Sequence, residues 1–173
     1  LASNFLEVVI KEFPDEYLFH HMLGRVYFQS DRKEEALESY KNAINIKKDS
    51  FKSYFNIAIY YYEKENYSET ISMLEKAMEF SPNWKPSYIQ MCFTYYKQND
   101  FLSLKKFITS NIKHLYFSVE TAAISELVAV QENKKSIHPF CPNPMEYISE
   151  FHIKDNIKDH DIFIDNLKKE IGA

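Results

Sequence analysis

Glycine is almost missing, with two residues in a chain of 173. Strand-rich sandwiches and doubly wound sheets place glycine at tight turns and phosphate loops. The scarcity therefore points to helices joined by short polar turns, and it excludes a glycine-rich phosphate cradle. Cysteine is as scarce: Cys92 and Cys141 make no disulfide framework and fit a reducing, cytoplasmic setting. No apolar run nears the roughly 18 residues of a membrane span, and no signal peptide is visible. The chain opens at Leu1 without methionine, which reads as a trimmed or processed product. An excess of positive charge is lacking too. Acidic residues number 25 against 21 basic, and residues 1–118 carry 15 of each, so the excess of four negatives lies in the last 55 residues. Without a basic field to collect phosphates, nucleic acid is not an expected partner, and neither is a membrane.

What is present is a period. Placing Tyr17, Phe51 and Lys85 in register gives three rows of 34 residues without a gap, and self-similarity at such a period marks a repeat architecture. Eight places of the first row, from repeat position 4 to 32, hold His20, Leu23, Gly24, Tyr27, Ala36, Tyr40, Ala43 and Lys48. The second holds Tyr54, Ile57, Ala58, Tyr61, Thr70, Leu74, Ala77 and Pro82. The third begins with Tyr88, Met91, Cys92 and Tyr95, then drifts to Leu104, Ile108, Asn111 and Tyr116. Small Gly24, Ala58 and Cys92 leave room for a paired helix to approach and be covered by the ring one turn on, at Tyr27, Tyr61 and Tyr95.

These rows resemble the tetratricopeptide repeat over about two thirds of the chain. The resemblance implies an all-α, right-handed solenoid of helix-turn-helix repeats. The expected division is residues 1–16 as the second helix of a truncated upstream repeat, with Pro14 at position 32, then repeats at 17–50, 51–84 and a degenerate 85–118. A capping helix at 119–133 and a Pro-containing tail at 134–173 follow. Helices are expected near 17–29, 32–46, 51–64, 67–80, 85–97 and 101–114. In "FNIAIYYYEKENY", Tyr61 takes the intra-repeat core, Tyr60 packs partly against a neighbouring helix, and Tyr62 faces the groove. After Ser118, an N-cap candidate, Ile124, Leu127 and Val128 are expected on one face of the closing helix.

In this family the first helices line a concave surface, and the resemblance implies a partner-binding groove. Position 5 gives His21, Phe55 and Ile89; position 6 gives Met22, Asn56 and Gln90; position 9 gives Arg25, Ile59 and Phe93. Position 12 supplies Phe28, Tyr62 and Tyr96, and position 13 Gln29, Glu63 and Lys97. An apolar and aromatic trough with amides suits a peptide or protein segment with apolar anchors. The alternative is a trough filled by the chain's own tail, through Ile137, Phe140 and Tyr147. Repeats that clamp a chaperone's C-terminal carboxylate carry two lysines, an arginine and two asparagines; the matching places here are His21, Arg25, Asn56, Pro86 and Gln90. Only Asn56 agrees, so chaperone-tail binding is not expected.

The tail's "NPMEYISEF" loosely resembles the link to the catalytic module in repeat-fused iron and 2-oxoglutarate oxygenases. Those enzymes need a His-x-Asp, and the adjacent His160 and Asp161 have the wrong spacing. His138, Cys141, His152 and His160 fit no standard zinc spacing, so neither metal nor cofactor is expected, and no catalysis within this chain. Three functions stand: a protein-interaction scaffold, the helical portion of a larger enzyme, or a self-association module acting through its ends.

Overall fold

The computed structural model describes residues 2–116 and 118–138. These form α1 (Ala2–Glu12), α2 (Tyr17–Gln29), α3 (Lys33–Ile46), α4 (Phe51–Glu63), α5 (Tyr67–Phe80), α6 (Lys85–Lys97), α7 (Phe101–Ser110), α8 (Ile112–Leu115) and α9 (Val119–Gln131). Helices α2 and α3 pair as one hairpin and α4 and α5 as the next, each packing on its sequence neighbours. The fold is all-helical, as the 34-residue register predicts. The expected tail helices and the docking residues Phe140 and Tyr147 lie outside the described residues, as do Cys141, His152, His160 and Asp161.

Repeated local chemistry holds the stack. Every first helix ends on a residue of left-handed conformation, Asp31, Glu65, Asn99 and Asn133, with φ between 53° and 59°. The peptide after each turns back onto the helix: Arg32 N–H donates to Tyr27 O, Asn66 to Tyr61 O, Asp100 to Tyr95 O and Lys134 to Ala129 O. A left-handed residue is what such a helix end requires, and glycine is its usual occupant. Here side chains with short polar groups take the place at three of the four sites. At the start of two first helices, the side chain at position 4 donates to the preceding proline carbonyl, His20 Nε2 to Pro14 O and Tyr88 Oη to Pro82 O, both at 2.8 Å.

The core runs along the seams between helices as three clusters. One joins Leu6, Leu23, Tyr27, Ala36 and Tyr40 to Ile57; a second joins Ala58 and Leu74 to Met91. The third gathers Cys92, Leu104, Ile108 and Leu115 under Ile124 and Val128. Gly24 is required by close approach, but its neighbour is Tyr40 of the paired helix: a β-carbon on Gly24 would stand 2.7 Å from the Tyr40 ring. The ring expected to cover it, Tyr27, turns instead toward α1 and donates to Glu7 at 2.6 Å. Tyr61 is only half-buried and packs on the preceding repeat's cluster, so it sits at a seam rather than within its own repeat.

Two boundaries differ from expectation. The second helix of the third repeat stops at Ser110 rather than reaching 114. Asn111 stands where the other rows have alanine; its side-chain amide donates to Phe107 O at 2.9 Å beside its own backbone N–H at 3.0 Å, and its φ of −117° ends the run of helical dihedrals. In α9 the buried residues are Thr121, Ile124, Ser125, Val128 and Ala129, and Leu127 is exposed, so Leu127 does not share the buried face with Ile124 and Val128. The Ser118 cap forms as expected, its hydroxyl accepting from Thr121 N–H at 3.2 Å.

Candidate partner-binding groove

Helices α2, α4 and α6 begin at Tyr17, Phe51 and Lys85, and α9 begins at Val119, a further 34 residues on. All four are 13 residues long and end on the same left-handed turn. The closing helix repeats the register and length of the other three but differs in burial: Ile124 at position 6 is buried, where Met22 is exposed and Asn56 and Gln90 are half-buried.

Position 12 is the best ordered row. Phe28, Tyr62 and Tyr96 are half-buried, and each rests on the first or second-helix-opening residue of its own repeat. Lys33 Nζ lies 5.9 Å from the Phe28 ring centre, Tyr67 stands edge-on to Tyr62 at 6.0 Å, and Phe101 meets Tyr96 at 6.2 Å. Burial pushes the Tyr62 phenol above its ordinary pKa, with the nearby Tyr67 a second cause, so it stays protonated and able to donate. At position 9, Arg25 is exposed while Ile59 and Phe93 are half-buried. At position 6, Met22 is exposed and Asn56 and Gln90 are half-buried. The Gln90 amide nitrogen is buried with no hydrogen-bond partner among the described residues. At position 13, Gln29 and Lys97 are exposed, and Glu63 is tied to Lys33 at 2.8 Å.

Position 5 is different. His21 is 8 % exposed; its Nδ1 lies 2.9 Å from Ser53 Oγ, which is 2.9 Å from Ser50 Oγ. Its ring also meets Tyr40 at 5.6 Å. Desolvation, helped by the Arg25 and Lys52 cations, lowers its pKa to about 4. His21 is a neutral pin between the first two repeats, which takes most of it off the open wall. Phe55 is edge-on to Trp84 at 4.7 Å, and Ile89 is half-buried against the third cluster. On α9, Leu127 at position 9 is 52 % exposed and Val130 at position 12 is 70 % exposed; the spacing from Lys85 to Val119 is the sequence signal that adds them to the candidate rows, and Glu126 at the small position 8 hides it.

Cys92 is fully buried, and burial pushes its thiol up to about 12, which removes the thiolate that reactivity needs. His138 is buried with Nε2 3.1 Å from Leu115 O. Among the described residues no group of three or more His, Cys, Asp or Glu side chains is placed to hold a metal ion, and no helix is long and apolar enough to cross a membrane.

No protein of curated function matches the chain by sequence. Among solved structures, the crystal structure of MamA superposes with a TM-score of 0.66 at 16 % identity, covering 76 % of this chain and 77 % of that one. YrrB, described as a TPR protein with an unusual peptide-binding site, gives 0.64 at 16 % identity over 73 % of this chain and 66 % of its own. The N-terminal domain of stress-induced protein-1 from C. elegans gives 0.59 at 20 % identity, over 66 % of this chain and 95 % of that domain. At these identities the likeness is one of fold. One family model, a TPR repeat, matches residues 24–64, and a second, the tetratricopeptide repeat, matches residues 51–83. With the register, the paired helices and these matches in agreement, residues 24–83 are tetratricopeptide repeats and the described residues have the fold of a TPR solenoid.

Proposed function

We propose that the chain is a protein-interaction scaffold that holds a peptide segment of a partner along α2, α4, α6 and α9. The observation that carries this reading is the pair of rows in register: Arg25, Ile59, Phe93 and Leu127 at position 9, with Phe28, Tyr62, Tyr96 and Val130 at position 12. Rings and aliphatic side chains left part-exposed at a fixed spacing offer burial to a ligand's apolar anchors. Asn56 and Gln90 supply amides for its backbone, and the unpartnered Gln90 nitrogen gains a bond when a carbonyl arrives. The chain contributes binding rather than catalysis. The test is selection of random displayed peptides on the chain, followed by titration of a selected peptide. Tyr62→Ala and Phe93→Ala should each weaken it by about 1–3 kcal/mol with helicity unchanged by circular dichroism. Peptides that bind both variants as well as the parent would remove the groove.

A second reading is favoured at the other end of the stack, where Phe5 and Val8 of α1 and the adjacent Phe13 are exposed, an apolar surface of the kind that self-association covers. Mass by light scattering should then rise with concentration and fall back in Phe5→Asp; a constant mass sinks it.

A further inference from the structure

An open pocket of about 310 Å³ lies at the junction of the first two repeats, lined among others by Tyr17, His21, Ser50 and Phe51, with Lys47 and Lys52 at its rim. The chain itself shows what fits there. One period later the residues equivalent to Tyr17 and His21 are Phe51 and Phe55, and the residue equivalent to Ser50 is Trp84. At that second junction the indole of Trp84 stands edge-on to both rings, 5.1 Å from Phe51 and 4.7 Å from Phe55. At the first junction Tyr17 and His21 stand at the two ring places, and Ser50, with only a hydroxymethyl group, at the place of the indole.

We propose that this pocket takes an aromatic side chain from the partner segment, seated between Tyr17 and His21 as Trp84 is seated between Phe51 and Phe55, with an acidic residue beside it. The pocket volume suits one large side chain with room at the mouth. The preference for acid follows from the rim, where Lys47 and Lys52 outnumber Asp49; Lys47 is held 4.6 Å over the Tyr17 ring, so a bound aromatic lies beside its ammonium. An indole edge against these rings gains the same geometry the protein uses internally, and a carboxylate at the mouth completes the charge. The inference rests on the groove reading for the source of the ligand, and on the pocket alone for its chemistry.

The experiment titrates the isotope-labelled chain with acetyl-Asp-Trp-Asp-amide and with acetyl-Asn-Trp-Asn-amide, following the His21 imidazole and the Phe51 and Leu18 signals by NMR. The expected result is saturable shifts at these residues with both peptides, the acidic one binding at least fivefold tighter. Ser50→Trp, which restores the residue found one repeat on, should fill the pocket and weaken binding at least tenfold. If that variant is unfolded, Tyr17→Ala takes its place, with the same loss expected. Lys52→Gln should erase the preference for the acidic peptide. Absent shifts, or binding untouched by both Ser50→Trp and Tyr17→Ala, overturn the proposal. Tyr62→Ala, which lies outside the pocket, should leave this titration unchanged; loss there would place the tripeptide in the groove and overturn the pocket assignment. A groove that fails its own peptide test leaves the tripeptide result standing, so the two failures read differently.

Discussion

At the scale of single residues, the repeat is governed by a trade between position 8 and position 24. Gly24 faces Tyr40, Ala58 shares a cluster with Leu74, and Cys92 shares one with Ile108: the aromatic partner requires the glycine, and the aliphatic partners leave room for a β-carbon. Gly24→Ala should therefore cost about 1–3 kcal/mol through overpacking, despite its gain in helix propensity. Adding Tyr40→Leu, the pair found one repeat on, should recover part of that loss. Urea denaturation of the two single variants and the double gives the coupling, and simple additivity would refute the steric account. The left-handed turns carry a second prediction. Aspartate and asparagine tolerate that conformation, but Glu65 at φ 57° has no short polar group to compensate its β-carbon. Glu65→Gly should raise stability by about 0.5–1 kcal/mol, read as a higher thermal midpoint; an unchanged or lower midpoint contradicts it. The small residue at position 8 is legible in the sequence, whereas its partner is not, because Tyr27 and Tyr40 lie within a few residues of the same helix seam and only the coordinates distinguish them. The polar turns are legible as breaks between the paired helices, but the left-handed residue in each is not, because no glycine marks it.

At the scale of elements, helix starts were legible almost to the residue because the apolar pattern and the period reinforce each other. The exceptions have local causes. Asn111 occupies a place where alanine lets two helices meet; its side-chain amide joins its own N–H on the Phe107 carbonyl and its φ of −117° leaves the helical range, so α7 ends and α8 follows as a separate turn. Asn111→Ala should let α7 run on toward Leu115, with a gain in helical signal and roughly 0.5 kcal/mol in stability. Amide exchange at Asn111 to Leu115 is the sharper readout, and protection no greater than in the parent would show that tertiary packing, not Asn111, sets the break. The capping helix α9 was legible in its start and spacing but not in its face, since the buried side follows the preceding repeat through Ile124 and Val128 and leaves Leu127 exposed. Of the candidate site, the position 9 and 12 rows came straight from the register. His21 did not, because a histidine at a groove position and one bonded across a repeat junction have the same sequence.

At the scale of the whole molecule, a solenoid is a chain of neighbour contacts, and its stability is close to a sum over junctions. The two inner junctions differ in kind. The second is aromatic, built on Phe51, Phe55 and Trp84. The first adds polar links to its apolar seam: His21 meets Ser53, and Lys33 and Lys64 reach back and forth to Glu63 and Glu34. A buried histidine with its pKa lowered from 6.5 to about 4 makes this junction the acid-sensitive one. Above pH 6.5 the imidazole is neutral in both folded and unfolded chains, and its contribution is fully present. Between pH 6.5 and 4 the unfolded chain binds a proton that the folded one refuses, so stability falls as the pH falls, by about 3 kcal/mol over the window at ~1.4 kcal/mol per unit. Exposed carboxylates also lose their pairings on acidification, which is why the comparison must be a difference between proteins. Urea midpoints at pH 7.5 and 4.5 should drop further for the parent than for His21→Gln, which keeps a polar group at the junction without a titrating ring. Protection in α1 to α3 should be lost at a higher pH than in α4 to α7. Parallel pH profiles for the two proteins would mean that His21 accepts its proton without opening the junction, and the acid-sensitive element would then have to be sought among the carboxylates.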